Sequence, residues 1–234
     1  RDLIVTGVQT CALPIWTVML SLLLASNSPR RKELLALTGL PFAILPVNVD
    51  ESPQPNEEPE TCVRRLAESK ARAAATRAET MGFPNDQIIL ASDTIVVLDG
   101  EMLGKPLDDH DAQRMLELLQ GKTHQVMTAI CLRRVQADES LIDVCISPVP
   151  MRKYSHAEIA EYVATGDPLD KAGAYAIQHS GFHPVDGFAH CFASVMGLPL
   201  CHLVKMLNQF GITIDDEIPI ACQHSLKYEC PVFS

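Results

Sequence analysis

Asp93 stands in a setting that indicates chemistry. It interrupts the run 88–98, "IILASDTIVVL", whose other residues predict a buried strand. A carboxylate in a buried strand costs free energy unless it is paired with a cation, hydrogen-bonded or bound to a metal. We therefore interpret Asp93 as a functional acid. The alternative is a structural aspartate whose oxygens are satisfied by Thr94 and by neighbouring backbone groups.

A second candidate site is the start of the first predicted helix, in "SNSPRRKELL". Ser28 is a favourable N-cap and Pro29 a favourable first helical residue. Arg30, Arg31 and Lys32 then place three cations where a helix dipole prefers anions. A bound phosphate would satisfy the dipole, the free N–H groups and the guanidinium groups together. A solvated basic turn is the alternative.

Lys70 lies on the apolar stripe of a helix predicted over residues 60–80, together with Val63 and Leu66. A lysine on such a stripe commonly extends its ammonium group to solvent along the helix surface. It can equally point to an anion beneath the helix. The stripe alone does not separate these two interpretations.

Four further polar residues indicate a binding site only when they are considered together. Lys105 in "LGKP" and Lys171 in "DKAG" lie beside glycines, where most lysines are simply solvated. Glu51 opens an acidic, proline-rich loop after a predicted strand; alone it is a surface acid, but with Asp93 it could hold Mg²⁺ on a phosphate substrate. Gln178 ends a predicted apolar strand, where its amide could bind a base or a phosphate, or could cap the strand.

Three histidines and a cysteine form a candidate zinc site: His179, His183, His190 and Cys191. Their spacing matches no known zinc finger, and Gly181 and Pro184 prevent one helix from aligning the first two histidines. Zinc is therefore a minor alternative. The sequence also has neither G-x-x-x-x-G-K-[ST] nor G-x-G-x-x-G, so a P-loop or Rossmann site is unsupported.

Composition indicates a globular protein with a full core. The chain has 234 residues, 47% hydrophobic and 21% charged, with a net charge of −10 that argues against a broad nucleic-acid surface. The eight cysteines form no C-x-x-C pair, which favours reduced, buried thiols and a cytoplasmic location over a disulfide framework.

The two ends of the chain are set apart from this domain. Residues 12–25 are nearly all apolar, which could suggest a signal-peptide core but is short for a membrane span. The segment "VTGVQTCALPI", at 5–15, resembles the translation of a sequencing adaptor. We expect residues 1–16 to be a non-native extension, 17–212 to form the domain, and 213–234 to be a tail of unknown status.

The remaining pattern predicts an α/β fold with a mixed sheet flanked by helices. Asp99–Gly100 predicts a tight hairpin, and Ser155 with Glu158 predicts a capping box. Strands are expected at 20–25, 42–49, 88–98, 126–135 and 141–149, and helices near 60–80, 111–120, 155–165 and 198–210.

Several motifs, in order, resemble the Maf family of septum-formation-like nucleotide pyrophosphatases: "LASNSPRRKELL", "VDES", "LAESKA", "ILASDTIVVLDGEMLGKP", "DKAGAYAIQ" and "VMGLPL". The resemblance covers residues 20–211. It implies a Maf/inosine-triphosphatase-like α/β fold, a homodimer, and hydrolysis of nucleoside triphosphates to monophosphate and pyrophosphate with a divalent metal, Mg²⁺ or Mn²⁺. From the charge and the short apolar run, we expect neither a nucleic-acid nor a membrane partner.

Matching motifs assign roles by resemblance. Asp93 would be the general base, and Glu51 would be catalytic or assist the metal, which Glu51 and Asp93 would hold. The phosphate-binding residues would be Ser26, Arg30, Arg31, Lys70 and Lys105.

Three positions, Arg31, Thr94 and Gln178, resemble the family members that act on dTTP and UTP. The 7-methyl-GTP branch tends to carry Trp and Gln at the first two. The segment 179–194, "HSGFHPVDGFAHCFAS", departs from the family pattern, and a changed base pocket or dimer edge is expected there. The alternatives are a pyrophosphatase for 7-methyl-GTP or modified purine triphosphates, and a non-catalytic nucleotide-sensing regulator of septum formation.

Overall fold

The computed structural model describes residues 22–136, 138, 140–214 and 217–233; the expected extension at 1–16 and the start of the first predicted strand lie outside them. The strands are β1 (Leu22–Leu24), β2 (Phe42–Ile44), β3 (Ile88–Leu98), β4 (Glu101–Leu103), β5 (Thr123–Arg134) and β6 (Ser140–Pro150). The α-helices are α1 (Pro29–Ala36), α2 (Pro59–Thr80), α3 (Asp109–Leu119), α4 (His156–Val163), α5 (Phe192–Val195), α6 (Leu200–Gln209) and α7 (Ile218–Leu226).

The six strands form one mixed sheet, as predicted. Its order is β2-β1-β3-β5-β6, and β4 pairs with the far end of β3. β1 is parallel to β2 and β3, whereas β3, β5 and β6 are antiparallel neighbours. β3 is thus the central strand, and it continues without a break through Asp93.

Alternate residues of each strand enter different cores. Leu22 and Leu24 pack with α1, α6 and α7 on one face of the sheet, and Leu23 packs with α2 on the other. A third cluster joins α3 and α4 to the far end of β3. The sheet is therefore covered by helices on both faces.

Small residues let α2 lie close to the sheet. Ala67, Ala71, Ala74 and Ala78 are fully buried against β3 and β5. Because alanine adds only one carbon beyond the backbone, a longer side chain on the same stripe reaches into the sheet. Lys70 is that side chain.

Two predicted features of local structure are confirmed. Asp99 and Gly100 form the two-residue turn between β3 and β4, with φ of 52° and 87°, as a type I′ turn requires. Ser155 and Glu158 form the capping box of α4. In both cases the residue types fix the backbone locally.

The predicted strand at 42–49 is too long. β2 ends at Ile44, and Leu45 donates one further hydrogen bond to the Leu24 carbonyl. Pro46 has no N–H to continue the ladder. The chain then leaves the sheet edge, and this departure carries Glu51 towards α2.

The tail beyond residue 212 packs on the domain where the structure describes it. Ile218 and Cys222 of α7 are buried in the core that contains α6. The Tyr228 ring lies 5.6 Å from that of Phe188 and 5.3 Å from that of Phe192. Among the described residues, no helix combines the length and the apolar character that a membrane crossing needs.

Candidate active site

A pocket of about 510 Å³ opens between the start of α1, the middle of β3 and the loops after β2 and β4. All nine sequence-predicted site residues line it: Ser26, Arg30, Arg31, Glu51, Lys70, Asp93, Thr94, Lys105 and Gln178. The structure therefore brings together side chains that the sequence separates by up to 152 positions, from 26 to 178.

A lysine bridges the two carboxylates in this pocket. Lys70 Nζ lies 2.5 Å from Asp93 Oδ1 and 2.6 Å from Glu51 Oε1. Lys70 is only 8% exposed and Asp93 only 6%, so their pairing compensates for the burial of both charges. The position of Lys70 thus resolves the ambiguity of its helical stripe: it points to anions beneath the helix.

Glu51 lies at the outer side of this pair. Burial opposes its ionisation, but the hydrogen bond and charge of Lys70 outweigh that effect and lower the pKa of Glu51. Lys105 Nζ lies 4.0 Å from Glu51 Oε2 and is more exposed. Glu51 is therefore held as a carboxylate between two ammonium groups.

The N-terminus of α1 forms the basic side of the pocket. The Ser28 hydroxyl accepts from the Arg31 N–H, and the Ser26 hydroxyl accepts from the Ser28 N–H. Arg30 and Arg31 follow on the pocket wall, and the first turn of the helix has no acidic residue. The N–H groups, the dipole and two guanidinium groups all favour an anion here.

Arg31 is fixed by a network of neutral acceptors. Its Nε donates to the Gly197 carbonyl at 2.9 Å, and its Nη2 donates to the Thr94 hydroxyl at 3.2 Å. The Thr94 hydroxyl lies 3.0 Å from that of Thr128, which donates to the Ser194 carbonyl at 2.8 Å. Loss of solvation lowers the pKa of Arg31, while Asp93 opposes that shift.

Sequence reasoning missed three parts of this network: Thr128, Ser194 and Gly197. Gly197 has a φ of +107°, and a Cβ there would lie 3.2 Å from Arg31 Nε and 3.3 Å from Thr94 Oγ1. The only signal for Thr128 was a hydroxyl inside an apolar strand. Gly197 and Ser194 act through their backbone carbonyls. Because every residue type has a carbonyl, these two acceptors had no signal in the sequence.

Lys171 also lines the pocket and is buried. Its Nζ donates to the Asp167 carboxylate at 2.9 Å and to the Asp170 carboxylate at 2.6 Å. It is thus held at the pocket wall by two acids, unlike the solvated loop lysine that is common beside glycines.

The prediction of a strand that ends at Gln178 is wrong. Ala172–Ala174 form a 3₁₀ helix, and Gly173 and Ala174 have φ of 71° and 60°, which no strand accommodates. Gly173 is required because a Cβ there would lie 3.0 Å from the Val96 side chain. Gln178 follows in a turn, yet it still lines the pocket.

The departing segment 179–194, which the structure describes in full, contributes no lining residue; Gln178 and Val195 flank it. Side chains of this segment therefore do not change the lining of the pocket directly.

The prediction of a zinc site is wrong as well. The described residues contain no group of three or more His, Cys, Asp or Glu that could hold a metal, and His179 Nδ1 instead accepts from the Phe182 N–H.

Known proteins of one family resemble this chain over most of its length. Residues 21–210 match the family model described as Maf-like protein. The dTTP/UTP pyrophosphatase of Citrifermentans bemidjiense is 44% identical over 191 residues, which cover 82% of this chain and 96% of that protein. The corresponding enzymes of Yersinia pestis and Anaeromyxobacter dehalogenans are 45% and 46% identical, over 82% and 85% of this chain and 94% and 98% of those proteins. The chain belongs to the Maf family.

Proposed function

We propose that this protein hydrolyses dTTP and UTP to the monophosphate and pyrophosphate. The observation that carries the proposal is the pocket itself, where the basic start of α1 faces a carboxylate pair bridged by Lys70. The relatives named dTTP/UTP pyrophosphatase support it, since they align over most of this chain.

Charge explains why the two sides of the pocket need each other. A nucleoside triphosphate carries about four negative charges, which the carboxylates of Asp93 and Glu51 would repel. Arg30, Arg31 and Lys105 line the same pocket and supply compensating positive charge. The triphosphate therefore binds along the cationic wall, with its α-phosphate towards Asp93.

Asp93 is the general base of the proposed reaction. Its carboxylate accepts a proton from a water molecule as the water oxygen bonds to the α-phosphorus. The bond between that phosphorus and the α–β bridging oxygen then breaks, and pyrophosphate leaves. Lys70 orients the Asp93 carboxylate through its 2.5 Å contact, and the nearby cations stabilise the charge on the leaving group.

The donor set fits a divalent metal. Mg²⁺ is commonly held by one or two carboxylates together with substrate phosphates, and Glu51 and Asp93 provide two carboxylates joined through one ammonium group. We propose that these two residues hold Mg²⁺ or Mn²⁺ together with the triphosphate. The metal would supply charge neutralisation on the phosphates.

Thr94, Arg31 and Gln178 support the dTTP/UTP preference over 7-methyl-GTP. Thr94 and Arg31 are hydrogen-bonded to each other, so both side chains are positioned as one unit at the pocket wall. A nucleotide that binds through a Trp at position 31 and a Gln at position 94 would find neither side chain in this pocket. Modified purine triphosphates remain the second candidate, because the same cations would bind their phosphates.

The test is pyrophosphate release from dTTP, UTP, CTP, dITP and 7-methyl-GTP, each with Mg²⁺ or Mn²⁺. We expect the highest kcat/KM with dTTP and UTP and none without metal. Preference for dITP or 7-methyl-GTP would contradict the substrate assignment. Nucleotide binding without turnover by the folded protein would instead favour the non-catalytic regulator of septum formation.

We also propose a cytoplasmic homodimer. The seven cysteines in the described part of the chain are free thiols, as a reducing compartment favours. β6 lies at the edge of the sheet and exposes 42% of Ile146, an arrangement that suits contact with a second copy. Light scattering on the purified protein tests the dimer, and a monomer at micromolar concentration would contradict it.

A further inference from the structure

The loop that carries Glu51 has no helix or strand of its own. It runs from the end of β2 at Ile44 to the start of α2 at Pro59, and residues 51–56 are all exposed. Two of these exposed residues are prolines, which have no N–H group to donate to the rest of the molecule. Side-chain contacts from other elements must therefore determine where the Glu51 carboxylate lies.

Arg65, on α2, holds this loop at two points. Its Nε lies 2.6 Å from Glu57 Oε1 and its Nη2 lies 2.7 Å from Glu57 Oε2, so the guanidinium group and the carboxylate form a bidentate pair. The same Nη2 donates to the Ser52 carbonyl at 3.1 Å. Because Ser52 directly follows Glu51, Arg65 holds the backbone next to a carboxylate of the pocket.

The Glu57 side chain is only 4% exposed although it belongs to a surface loop. Its Oε2 also accepts from the Gln54 N–H at 2.9 Å, so one carboxylate connects the arginine to the loop backbone. The hydrogen bonds from Arg65 and from the Gln54 N–H lower the pKa of Glu57 to about 2. Both members of the pair are therefore charged throughout the neutral pH range.

Two further contacts hold the loop on either side of this pair. The Ser52 N–H donates to Asp50 Oδ1 at 2.9 Å, which closes a turn around Glu51. At the start of the loop, Arg77 Nη1 donates to the Pro46 carbonyl at 2.7 Å. Both arginines lie on α2, whose alanine stripe is packed on the sheet. The loop is thus attached to a helix that is itself fixed.

The contact with Lys70 does not fix Glu51 by itself. The Lys70 ammonium group is shared with Asp93, and the Glu51 side chain is 49% exposed. An ammonium group on a flexible stem also accepts partners from many directions, whereas a guanidinium group imposes one planar geometry. The hydrogen bonds of Arg65 therefore supply the constraint on the backbone.

We propose that Arg65 is a positioning residue for Glu51. Its guanidinium group holds the loop backbone so that the Glu51 carboxylate stays beside Lys70, where the proposed metal and triphosphate bind. The inference deepens the proposed function and rests on it.

Arg65→Lys tests the inference. A lysine keeps the charge, but its single ammonium group cannot reproduce the planar, bidentate geometry. We expect kcat for pyrophosphate release from dTTP to fall at least about tenfold, because a displacement of about 1 Å at a catalytic site is costly. The half-saturating Mg²⁺ concentration should rise. The KM for dTTP should change little, because Arg30 and Arg31 lie on α1.

Arg72→Lys is the matched control on the same helix. Arg72 also binds a carboxylate through Nε and Nη2, that of Glu68 at 3.2 and 2.7 Å, but Glu68 lies on α2 and not in the loop. This variant should keep the wild-type kcat. Glu57→Gln, which removes the charge and keeps the size, should lower kcat as Arg65→Lys does. Full activity in Arg65→Lys, or an equal loss in Arg72→Lys, would overturn the proposal.

A double-variant cycle separates positioning from a general loss of structure. Single-turnover rates are measured with enzyme in excess over dTTP, so that slow reactions remain visible. If Arg65 acts through Glu51, then Arg65→Lys should have no further effect in a Glu51→Gln background. The same fold-change in both backgrounds would show that Arg65 acts on something other than Glu51.

Hydrogen–deuterium exchange tests the loop without using activity. Peptides that cover residues 46–57 should exchange at least about fivefold faster in Arg65→Lys, since the loop opens more often, and at the wild-type rate in Arg72→Lys. Unchanged exchange in Arg65→Lys would overturn the proposal. If the wild-type protein releases no pyrophosphate from any nucleotide, the proposed function fails, and the exchange rates still decide whether Arg65 holds the loop.

Discussion

Lys70 and Asp93 place an ammonium group and a carboxylate 2.5 Å apart between α2 and the middle of β3. The contact joins the helix layer to the central strand at the floor of the pocket. In the proposed mechanism the same two residues therefore serve both stability and catalysis. The two roles can be separated, because a neutral isostere of Asp93 keeps the volume of the site while removing the base.

Asp93→Asn should fold and should lose 10²- to 10⁴-fold in kcat, about the usual contribution of a general base. The measurement is pyrophosphate release from dTTP, with circular dichroism as the check on folding. Asp86→Asn, at an exposed acid just before β3, is the control and should keep full activity. Near-full turnover in folded Asp93→Asn would exclude Asp93 as the base.

Lys70→Met should destabilise the protein by about 3 kcal/mol, because it leaves a buried carboxylate without its cation. Urea unfolding measures this change. Lys122→Met, at an exposed lysine, should leave stability nearly unchanged. The double variant Lys70→Met/Asp93→Asn should be less destabilised than the sum of its single variants. Strict additivity would show that the ion pair is not the source of the loss.

Gly197→Ala should raise the KM for dTTP and lower stability by about 1–3 kcal/mol, the usual cost of a strained backbone conformation. The new Cβ would also press on Arg31 and Thr94. Gly82→Ala separates the two effects, since its φ is +76° and nothing lies within 4 Å of the added Cβ. It should lose stability but keep the KM. An unchanged KM in Gly197→Ala would contradict the role of the carbonyl.

His124 should make stability depend on pH. Burial lowers the pKa of His124 to about 4, whereas an unfolded histidine has a pKa of about 6.5. Between these values the unfolded chain binds a proton that the folded chain does not, so the free energy of unfolding decreases as pH falls from 6.5 to 4. The full change is about 3 kcal/mol.

Urea unfolding at pH 7 and pH 4.5 measures this effect, and His124→Gln should reduce the difference between the two. His156→Asn, at an exposed histidine, should show the wild-type difference. Equal pH dependence in His124→Gln and wild type would show that other groups cause it. Tyr175, whose hydroxyl lies 2.8 Å from His124 Nε2, should remain buried in the variant.

Much of the fold followed from local signals in the sequence. The turn at Asp99–Gly100, the capping box of α4 and the paired strands β5 and β6 each depend on residue types that fix the backbone within a few positions. The length of β2 and the conformation before Gln178 did not follow. Pro46 limits β2 locally, a signal that the predicted strand overlooked. The conformation before Gln178, in contrast, depends on the contact between Gly173 and the distant Val96.

The candidate site shows the same limit. Asp93 was recognisable because a charge in an apolar strand needs an explanation. The stripe of α2 could not tell whether Lys70 points to water or to an anion, because the partner lies on another strand 23 positions away. The role of the Gly197 carbonyl could not be predicted from the sequence, because every residue has a carbonyl and only the fold determines where it points.

The aromatic contact between Tyr228 and the rings of Phe188 and Phe192 ties two unusual parts of the chain together. One is the segment 179–194; the other lies beyond residue 210, where the family match ends. A chimera in which only one of these parts is replaced by that of a relative would leave the remaining aromatic rings without their partners and exposed to water. Evolutionary change in one of these segments is therefore expected to require a matching change in the other.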